Sequence, residues 1–422
     1  MVAAFASRGY KVIGVDAKPE FVRLINEGKS PVEETDLEDY LKKNKERIRA
    51  TLDYKTAILN SEITFIIVPT PSDGNGDFST KYVVEAAREI GKIIGEKPSF
   101  HLVVLTSTVT PGSTQKELLP VLEEHSGKKC GVDFGLCYNP EFIALGNVID
   151  DILNPDFVLI GESDKKSGDI LEEFYRNASL NNPQIKRMNI INAEITKIAL
   201  NTYVTTKISY ANMLAELCEK IPGGNVDAVT DALGCDTRIG HKYLKGALGF
   251  SGPCFPRDNR AFIYTAKKFG ASLPIAEATD EINRRQVPRL LERILNFLPQ
   301  NGKITILGVS YKPNTNVIEE SQGLELARVL AEREISVTVY DPKAMEEARK
   351  QLNNVSFADS LEDSVRKADL IFIATPWEEF KSIDRDWLKP KAVLFDCWRL
   401  LDAKKYKKTA KYVGLGINYE KE

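Results

Sequence analysis

The sequence predicts an α/β protein with two doubly wound domains, each built on a parallel sheet, joined by a long central helix and a helical region. Three observations lead to this prediction. Short apolar strand patterns alternate with helical patterns near both ends of the chain. The two ends repeat each other. Between them, residues 193–220 keep a helical pattern without proline or glycine. We predict domains at 1–185, 186–298 and 299–422.

The first domain shows the alternation most clearly. Apolar patterns predict strands at 10–15, 63–68, 102–105 and 157–160, and a shorter one near 135–137. Helical patterns fall at 19–27, 36–48, 80–95, 113–124 and 164–176. Residues 1–9 are typical of the end of a helix, with Gly9 as its C-terminal stop.

The middle of the chain is helical, and the alternation returns after it. Beyond the long helix, we predict helices at 225–233, 258–269 and 275–298, and Pro288 is expected to break the last one. Strands follow at 304–307, 337–340, 370–374 and 393–396, with a helix at 324–333.

The internal repeat aligns the two α/β halves. Val12–Asp16 matches Val337–Asp341, and Ile63–Pro71 matches Leu370–Pro376. Asp16 ends a strand where a doubly wound domain binds the adenosine ribose, although an aspartate there can also simply cap the next segment.

The repeat also bears on the start of the chain. In the second half a strand and a turn precede the helix that corresponds to residues 2–8, whereas Met1 already falls inside that helix. A doubly wound nucleotide domain opens with a strand and a Gly-rich turn that holds the pyrophosphate. We expect that segment upstream of Met1 in the natural reading frame, or else a defective copy that binds its dinucleotide poorly.

Composition excludes several functions. The chain has 422 residues and a net charge of −3 without a large basic block, which argues against nucleic-acid binding. Apolar runs are too short to span a membrane, and no signal sequence is recognisable. Six scattered cysteines without CxxC spacing and only three histidines predict neither a metal site nor a disulfide framework. We expect a cytoplasmic, reducing setting.

Residues 246–260 carry the strongest local chemistry. Cys254 lies among glycines and prolines, and Asp258 follows four residues later. A rigidly held thiol near a carboxylate and basic residues can act as a nucleophile. A buried structural cysteine is the alternative for this residue taken alone.

Several separated motifs resemble the UDP-glucose/GDP-mannose dehydrogenase family over nearly the whole chain. They are Gly249–Asp258, Glu194–Thr202, Asn139–Phe142, Ser107-Thr108, Pro69–Pro71, Arg238–Lys245 and Gly308–Thr315. The resemblance implies two Rossmann-like domains and a long helix that forms a homodimer. It also implies four-electron oxidation of a sugar C6 alcohol to a carboxylate with two NAD.

The resemblance implies roles residue by residue. The implied catalytic residues are Cys254, Lys197, Asn201, Asp258, Glu141 and Thr108. The implied NAD contacts are Asp16, Thr70, Thr108 and Glu141. The implied UDP-sugar contacts are Phe142, Lys197, Asn201, Arg238, Tyr243, Lys245, Gly249, Phe250, Gly252, Tyr311, Lys312 and Arg399, with Arg238 reaching a neighbouring subunit.

The chemistry agrees with these residue types. A thiolate converts an aldehyde into a thiohemiacetal, which can expel a hydride and leave a thioester. Lys197 and Asn201, one helical turn apart, can stabilise the oxyanion. Asp258 or Glu141 can activate the water that releases the acid. A pyrophosphate substrate would account for the basic Arg238, Lys245 and Lys312.

The chain departs from the family pattern at several places, of which the absent Gly-rich turn is the largest. Glu319 stands where an arginine that contacts the cofactor is common, and Asp396-Cys-Trp-Arg399 replaces a typical Asp-Gly-Arg. The favoured reaction is UDP-glucose to UDP-glucuronate. The alternatives are a UDP-N-acetylhexosamine 6-dehydrogenase and a catalytically impaired protein that only binds UDP-sugars.

Overall fold

A computed structural model describes residues 1–74, 76–406 and 408–419. These residues form two compact units. One contains residues 1–200 with 264–270, and the other contains 201–263 with 271–422. Within the described residues, no helix is long and apolar enough to cross a membrane.

The helices and strands alternate in the first unit. Its strands are β1 (Val12–Val15), β2 (Ile48–Thr51), β3 (Ile63–Ile66), β4 (His101–Leu105), β5 (Phe134–Tyr138), β6 (Phe157–Glu162) and β7 (Gln184–Asn189). Its helices are α1 (Val2–Ser7), α2 (Pro19–Glu27), α3 (Leu37–Lys43), α4 (Tyr54–Leu59), α5 (Lys81–Glu96), α6 (Leu119–Ser126), α7 (Val148–Leu153) and α8 (Lys165–Ala178). A π-helical turn at Thr114–Leu118 precedes α6.

The first unit has two sheets. β1 and β2 form a parallel pair, and the other strands form a sheet in the order β3-β4-β5-β6-β7. Within that sheet β6 runs antiparallel to β5, whereas its other pairs are parallel. The expectation of a purely parallel sheet is therefore wrong at this one pair. Val103, Leu105 and Leu136 are fully buried between helices, as expected for a sheet covered on both faces.

Helix α9 (Ile190–Lys220) begins in the first unit and continues into the second, as an unbroken helix of the kind that the sequence pattern predicted. The later helices are α10 (Val226–Gly234), α11 (Phe255–Lys268), α12 (Pro274–Phe297), α13 (Gln322–Glu332), α14 (Met345–Gln351), α15 (Leu361–Arg366) and α16 (Ala403–Tyr406). Short 3₁₀ turns occur at Lys45–Arg47, Glu378–Ser382 and Arg385–Trp387.

The second unit contains one six-stranded parallel sheet. Its strands are β8 (Lys303–Leu307), β9 (Ser336–Tyr340), β10 (Ser356–Phe357), β11 (Leu370–Ile373), β12 (Ala392–Asp396) and β13 (Ala410–Gly414). They lie in the order β10-β9-β8-β11-β12-β13, so the chain reverses direction across the sheet at β8 and β11. Crevices at the carboxyl ends of strands near such a reversal are the usual ligand sites of this architecture.

The predicted break at Pro288 does not occur. Helix α12 continues through Pro288 to Phe297. Proline removes one backbone hydrogen bond, which costs about 3 kcal/mol in a helix interior. Leu290, Leu291 and Ile294 are buried in the core of the second unit, and their packing holds the helix on the far side of the proline.

Candidate active site

Cys254 precedes the first residue of α11 in the second unit. The amide of Asp258 donates to the carbonyl of Cys254 at 2.8 Å and closes the first helical turn. The thiol is exposed. The alternative of a buried structural cysteine is therefore wrong. The positive end of a helix dipole favours a thiolate at this place.

The glycines in front of Cys254 let the loop approach its neighbours. Gly252 has φ 84°, and a Cβ atom there would lie 2.6 Å from the ring of Tyr311. A Cβ on Gly249 would lie 2.0 Å from the side-chain oxygen of Asn283. A larger residue at either position would require Tyr311 or the side chain of Asn283 to move.

A cavity of about 230 Å³ lies beside this loop, within the second unit. Ser251 and Phe255, which flank Cys254, both line it. The predicted substrate contacts that line it are Tyr243, Lys245, Gly249, Phe250, Tyr311 and Lys312. Further lining comes from Ile208, Leu248, Ser310, Ser321, Gln322, Gly323, Ala374, Thr375 and Trp398. The predicted sugar-nucleotide loop and the segment after β8 therefore meet at one cavity.

Asn201 and Asp258 form a buried pair in the same unit. The amide of Asn201 donates to Oδ2 of Asp258 at 2.7 Å, and the guanidinium of Arg257 binds Oδ1 at 3.0 Å. The side chain of Asp258 is completely buried. Both of its oxygens are thus occupied, which fixes the orientation of the Asn201 amide.

Lys197 and Glu141 come together in the first unit. The ammonium of Lys197 donates to the backbone carbonyl of Glu141 at 2.6 Å and lies 4.6 Å from the centre of the Phe142 ring. Oε1 of Glu141 is buried and has no hydrogen-bond partner among the described residues. Burial raises the pKa of this carboxyl, and the positive charges of the chain's amino terminus and of Lys197 oppose the rise. A carboxyl of this kind is suited to proton transfer.

Three of the four predicted cofactor residues follow β1, β3 and β4, and the fourth, Glu141, follows β5. Thr70 is buried, and its hydroxyl donates to the carbonyl of Thr108 at 2.7 Å, which ties the two loops together. Asp16 is half-buried at the end of β1, and its Oδ1 accepts from the amide of Lys18 at 2.8 Å. Within the described residues its Oδ2 accepts no hydrogen bond. A carboxylate with this exposure fits the hydroxyls of an adenosine ribose.

Two predicted arginine contacts do not line the cavity. Arg399 is almost fully buried and binds both oxygens of Asp227, at 3.0 and 2.7 Å. It also donates to the carbonyl of Gly246. Arg238 is 86% exposed and pairs with Asp236 at 2.6 Å.

Sequence reasoning did not assign a site role to two residues that shape the site. Glu194 is buried in the first unit and accepts from the amides of Gly112 and Thr114 at 2.6 and 3.0 Å. In the second unit, Asp227 holds Lys245 at 3.0 Å in addition to Arg399. Only Glu194 had a sequence signal, because it shares a helix face with Lys197. Asp227 lies 172 residues from Arg399, and no local pattern connects them.

Comparisons with known families match three successive segments that cover most of the chain. Residues 1–179 match the NAD-binding domain of the UDP-glucose/GDP-mannose dehydrogenase family. Residues 191–285 match its central domain, and residues 305–403 match its UDP-binding domain.

Individual proteins of known activity match most of the chain at 26% to 35% sequence identity. UDP-glucose 6-dehydrogenase AglM of Haloferax volcanii is 34% identical over 391 residues, covering 92% of this chain and 90% of the relative. GDP-mannose 6-dehydrogenase of Pseudomonas aeruginosa is 35% identical over 359 residues, covering 84% and 81%. Among solved structures, a UDP-glucose dehydrogenase from Pyrobaculum islandicum has a TM-score of 0.89 at 33% identity, covering 99% of this chain and 94% of its own. A UDP-D-ManNAc dehydrogenase from Pyrococcus horikoshii has a TM-score of 0.81 at 26% identity, covering 98% and 96%.

Proposed function

Because the chain belongs to the UDP-glucose/GDP-mannose dehydrogenase family, we propose that it oxidises the C6 alcohol of UDP-glucose to the carboxylate of UDP-glucuronate. The observation that carries this proposal is the exposed Cys254, flanked by Ser251 and Phe255, which line a cavity. That cavity lies in the unit whose residues 305–403 match the UDP-binding domain. We keep the division into domains 1–185, 186–298 and 299–422 as part of the proposal.

The reaction needs two hydride removals. Bound NAD supplies the hydride acceptor in each of them, and one molecule is reduced each time. A base on the protein takes the alcohol proton, and the resulting aldehyde is attacked by the thiolate of Cys254. The C–S bond formed makes a thiohemiacetal, and loss of the second hydride leaves a thioester. Water breaks the C–S bond, releases the carboxylate and returns the thiol.

Two carboxyl groups receive different roles in this proposal. Glu141 is the base, because its Oε1 is buried without a partner among the described residues and burial raises its pKa. Asp258 positions Asn201 instead, because both of its oxygens are already bound. The amide of Asn201 and the ammonium of Lys197, one turn earlier on α9, stabilise the oxyanion of the tetrahedral adduct. Thr108 holds the attacking water.

The residues of the first unit fit NAD. Asp16 would accept hydrogen bonds from the adenosine ribose, because it ends a strand and keeps Oδ2 available in the described part of the chain. Thr70 and Thr108 would contact the cofactor from the loop pair that their hydrogen bond holds together.

A homodimer is part of the same proposal. On α9, Tyr203, Tyr210 and Leu217 are exposed at seven-residue intervals and so share one face of the helix. A second copy would cover this apolar stripe, and the exposed Arg238 would reach the second copy's substrate. Replacing Tyr210 and Leu217 with aspartate should convert a dimer to a monomer in light-scattering measurements. A parent chain that is already monomeric contradicts the proposal.

The decisive experiment measures NADH formed per molecule of nucleotide sugar. We expect two NADH per UDP-glucose, and little reaction with UDP-N-acetylmannosamine, UDP-N-acetylgalactosamine or GDP-mannose. A faster reaction with one of these three would reassign the substrate. Calorimetric binding of UDP-glucose without binding of NAD, and without NADH formation, would instead support a protein that only binds UDP-sugars.

A further inference from the structure

A buried asparagine holds the segment that leads into Glu141. Asn139 follows β5, and its backbone amide donates to the carbonyl of Leu105 at the end of β4 at 2.8 Å. Its Nδ2 donates to the carbonyl of Leu159 in β6, also at 2.8 Å. Its Oδ1 accepts from the hydroxyl of Tyr175 in α8 at 2.5 Å. Three different elements of the first unit therefore fix Asn139, one through its backbone and two through its side chain.

Tyr175 donates the single proton of its hydroxyl to this asparagine. Its side chain is buried, and the ring centres of Phe5 and Phe174 lie 6.3 and 5.3 Å from its own. Burial, and secondarily the negative charge of Glu141, raise the pKa of the Tyr175 hydroxyl. The hydroxyl therefore stays protonated. Its donation to Oδ1 also sets the orientation of the Asn139 amide, so that Nδ2 faces β6.

The backbone of Glu141 is restrained on both sides. Pro140 joins it to Asn139, and the proline ring fixes φ and so removes one rotation between the two residues. On the other side, Nζ of Lys197 in α9 donates to the carbonyl of Glu141 at 2.6 Å. The charged or titratable groups that face the Glu141 carboxyl are Lys197, the amino terminus of the chain ahead of α1, and Tyr175. Because Oε1 has no hydrogen-bond partner among the described residues, these backbone restraints place the carboxyl.

We propose that Asn139 and Tyr175 are positioning residues for Glu141, the proposed base. The hydroxyl of Tyr175 acts through Asn139 on the direction in which the chain leaves β5, and so on the place that the Glu141 carboxyl occupies. Both residues act from within the core of the first unit, without contact to the reacting atoms. The inference rests on the proposed function, because the position of Glu141 matters to the reaction only if this residue is the base.

The test removes the hydroxyl of Tyr175 and keeps its ring. Tyr175→Phe should lower kcat with UDP-glucose about 10- to 100-fold, because a small displacement of a base is costly. The KM for UDP-glucose should stay within about twofold, because the variant removes no substrate contact. A carboxyl that is held less tightly gains access to water, so the pKa of Glu141 falls. The acid limb of the kcat–pH profile should therefore move to lower pH by about half a unit or more.

Tyr10 provides a matched control on the same helix. Its hydroxyl donates to the carbonyl of Phe174 in α8 at 3.3 Å, and its ring packs on the ring of Phe174. Tyr10→Phe therefore loses a hydrogen bond to α8 without touching Asn139, and it should keep the kcat and the acid limb of the parent. Asn139→Ala tests the second member of the pair. Because Tyr175 acts through Asn139, the double variant should have the same kcat as Asn139→Ala alone.

A readout without turnover completes the test. The infrared carboxyl band of Glu141, identified by its absence in Glu141→Gln, should titrate at lower pH in Tyr175→Phe than in the parent and in Tyr10→Phe. An active parent with unchanged kcat and unchanged acid limb in Tyr175→Phe would overturn the inference alone, and so would equal changes in Tyr10→Phe. A parent that forms no NADH, or Glu141→Gln with the parental kcat, would refute the proposed function and the inference with it.

Discussion

The two α/β halves place an aspartate at the end of equivalent strands and use it in opposite ways. Asp16 follows β1, is half-buried, and receives one hydrogen bond within the described structure, from Lys18. Asp341 follows β9 and is buried. Its Oδ2 accepts from the amides of Val309 and Ser310 at 2.9 Å, and Trp377 donates to it at 3.2 Å.

The same repeat also places matching threonines. Thr70 donates to the carbonyl of Thr108, and Thr375 donates to the carbonyl of Ser310, both at 2.7 Å. The two threonines thus tie different loops, because Thr108 follows β4 whereas Ser310 follows β8. The first half leaves Oδ2 of its aspartate without a hydrogen bond among the described residues, whereas the second half uses its aspartate to close the turn after β8.

The largest expected effect is a loss of catalysis without a loss of NAD or UDP-glucose binding. Cys254→Ser should lower acid formation by about 1,000-fold or more, because a serine hydroxyl is a far weaker nucleophile at neutral pH. Calorimetric affinities for NAD and UDP-glucose should stay near those of the parent. The exposed Cys235 provides a matched control, and Cys235→Ser should remain fully active. Uronate production at the parental rate by Cys254→Ser would refute the nucleophile.

The second largest effect tests Asp341, whose carboxylate accepts hydrogen bonds from the loop after β8. Asp341→Ala should lower the free energy of unfolding by about 3 kcal/mol or more, because several buried amide donors lose their acceptor. Urea denaturation followed by the fluorescence of Trp377, which itself binds Asp341, measures this loss. Ser360→Ala removes only an exposed helix cap in the same unit and should cost about 1 kcal/mol. Equal losses in the two variants would mean that Asp341 does no more than an ordinary cap.

The third effect tests Asp16, whose side chain is half-buried. Asp16→Ala should weaken NAD binding by about 10- to 150-fold, the value of a charged hydrogen-bond acceptor. The free energy of unfolding should change by no more than about 0.5 kcal/mol, because the side chain is half-exposed. Glu20→Ala, on the first turn of α2, is a nearby acidic control that should leave NAD binding unchanged. Unaltered NAD affinity in Asp16→Ala would remove the contrast between the halves.

The sequence was sufficient for the parts of the fold that depend on local patterns. The repeat aligned Asp16 with Asp341 correctly, and helix α9 was predicted within a few residues of its bounds. The different uses of the two aspartates could not be predicted, because Asp341 finds its partners in Val309 and Trp377, more than 30 residues away. Exposure of an acidic side chain is a property of packing rather than of the residue pattern.

Other omissions have similar physical causes. β13 was missed because Ala410–Gly414 has only a weak apolar pattern and is recruited by pairing with β12. β7 was missed because Gln184–Asn189 is polar and lies at a sheet edge. The Asp227–Arg399 pair joins α10 to the end of β12, which only tertiary structure can reveal.

The smallest effect concerns a buried histidine that only the first half contains. His101 begins β4, while the equivalent strand β12 begins with Ala392. Nζ of Lys97 donates to Nδ1 of His101 at 3.0 Å, so the ring is neutral and its Nε2–H donates to the hydroxyl of Thr64 at 2.8 Å. Burial, and secondarily the charge of Lys97, lower the pKa of His101 to about 3.

This histidine should make the first unit sensitive to acid. The unfolded chain takes up a proton near pH 6.5 and the folded one near pH 3, so stability is complete above pH 6.5 and is lost as the pH falls toward 3. Between pH 6.5 and 5 the loss should be about 2 kcal/mol. Hydrogen exchange of the β4 amides at the two pH values measures it. His101→Gln, which does not titrate, should remove most of the difference, while the amides of β12 should serve as the internal reference. Equal acid sensitivity of β4 in the parent and in His101→Gln would show that this ring does not distinguish the two halves.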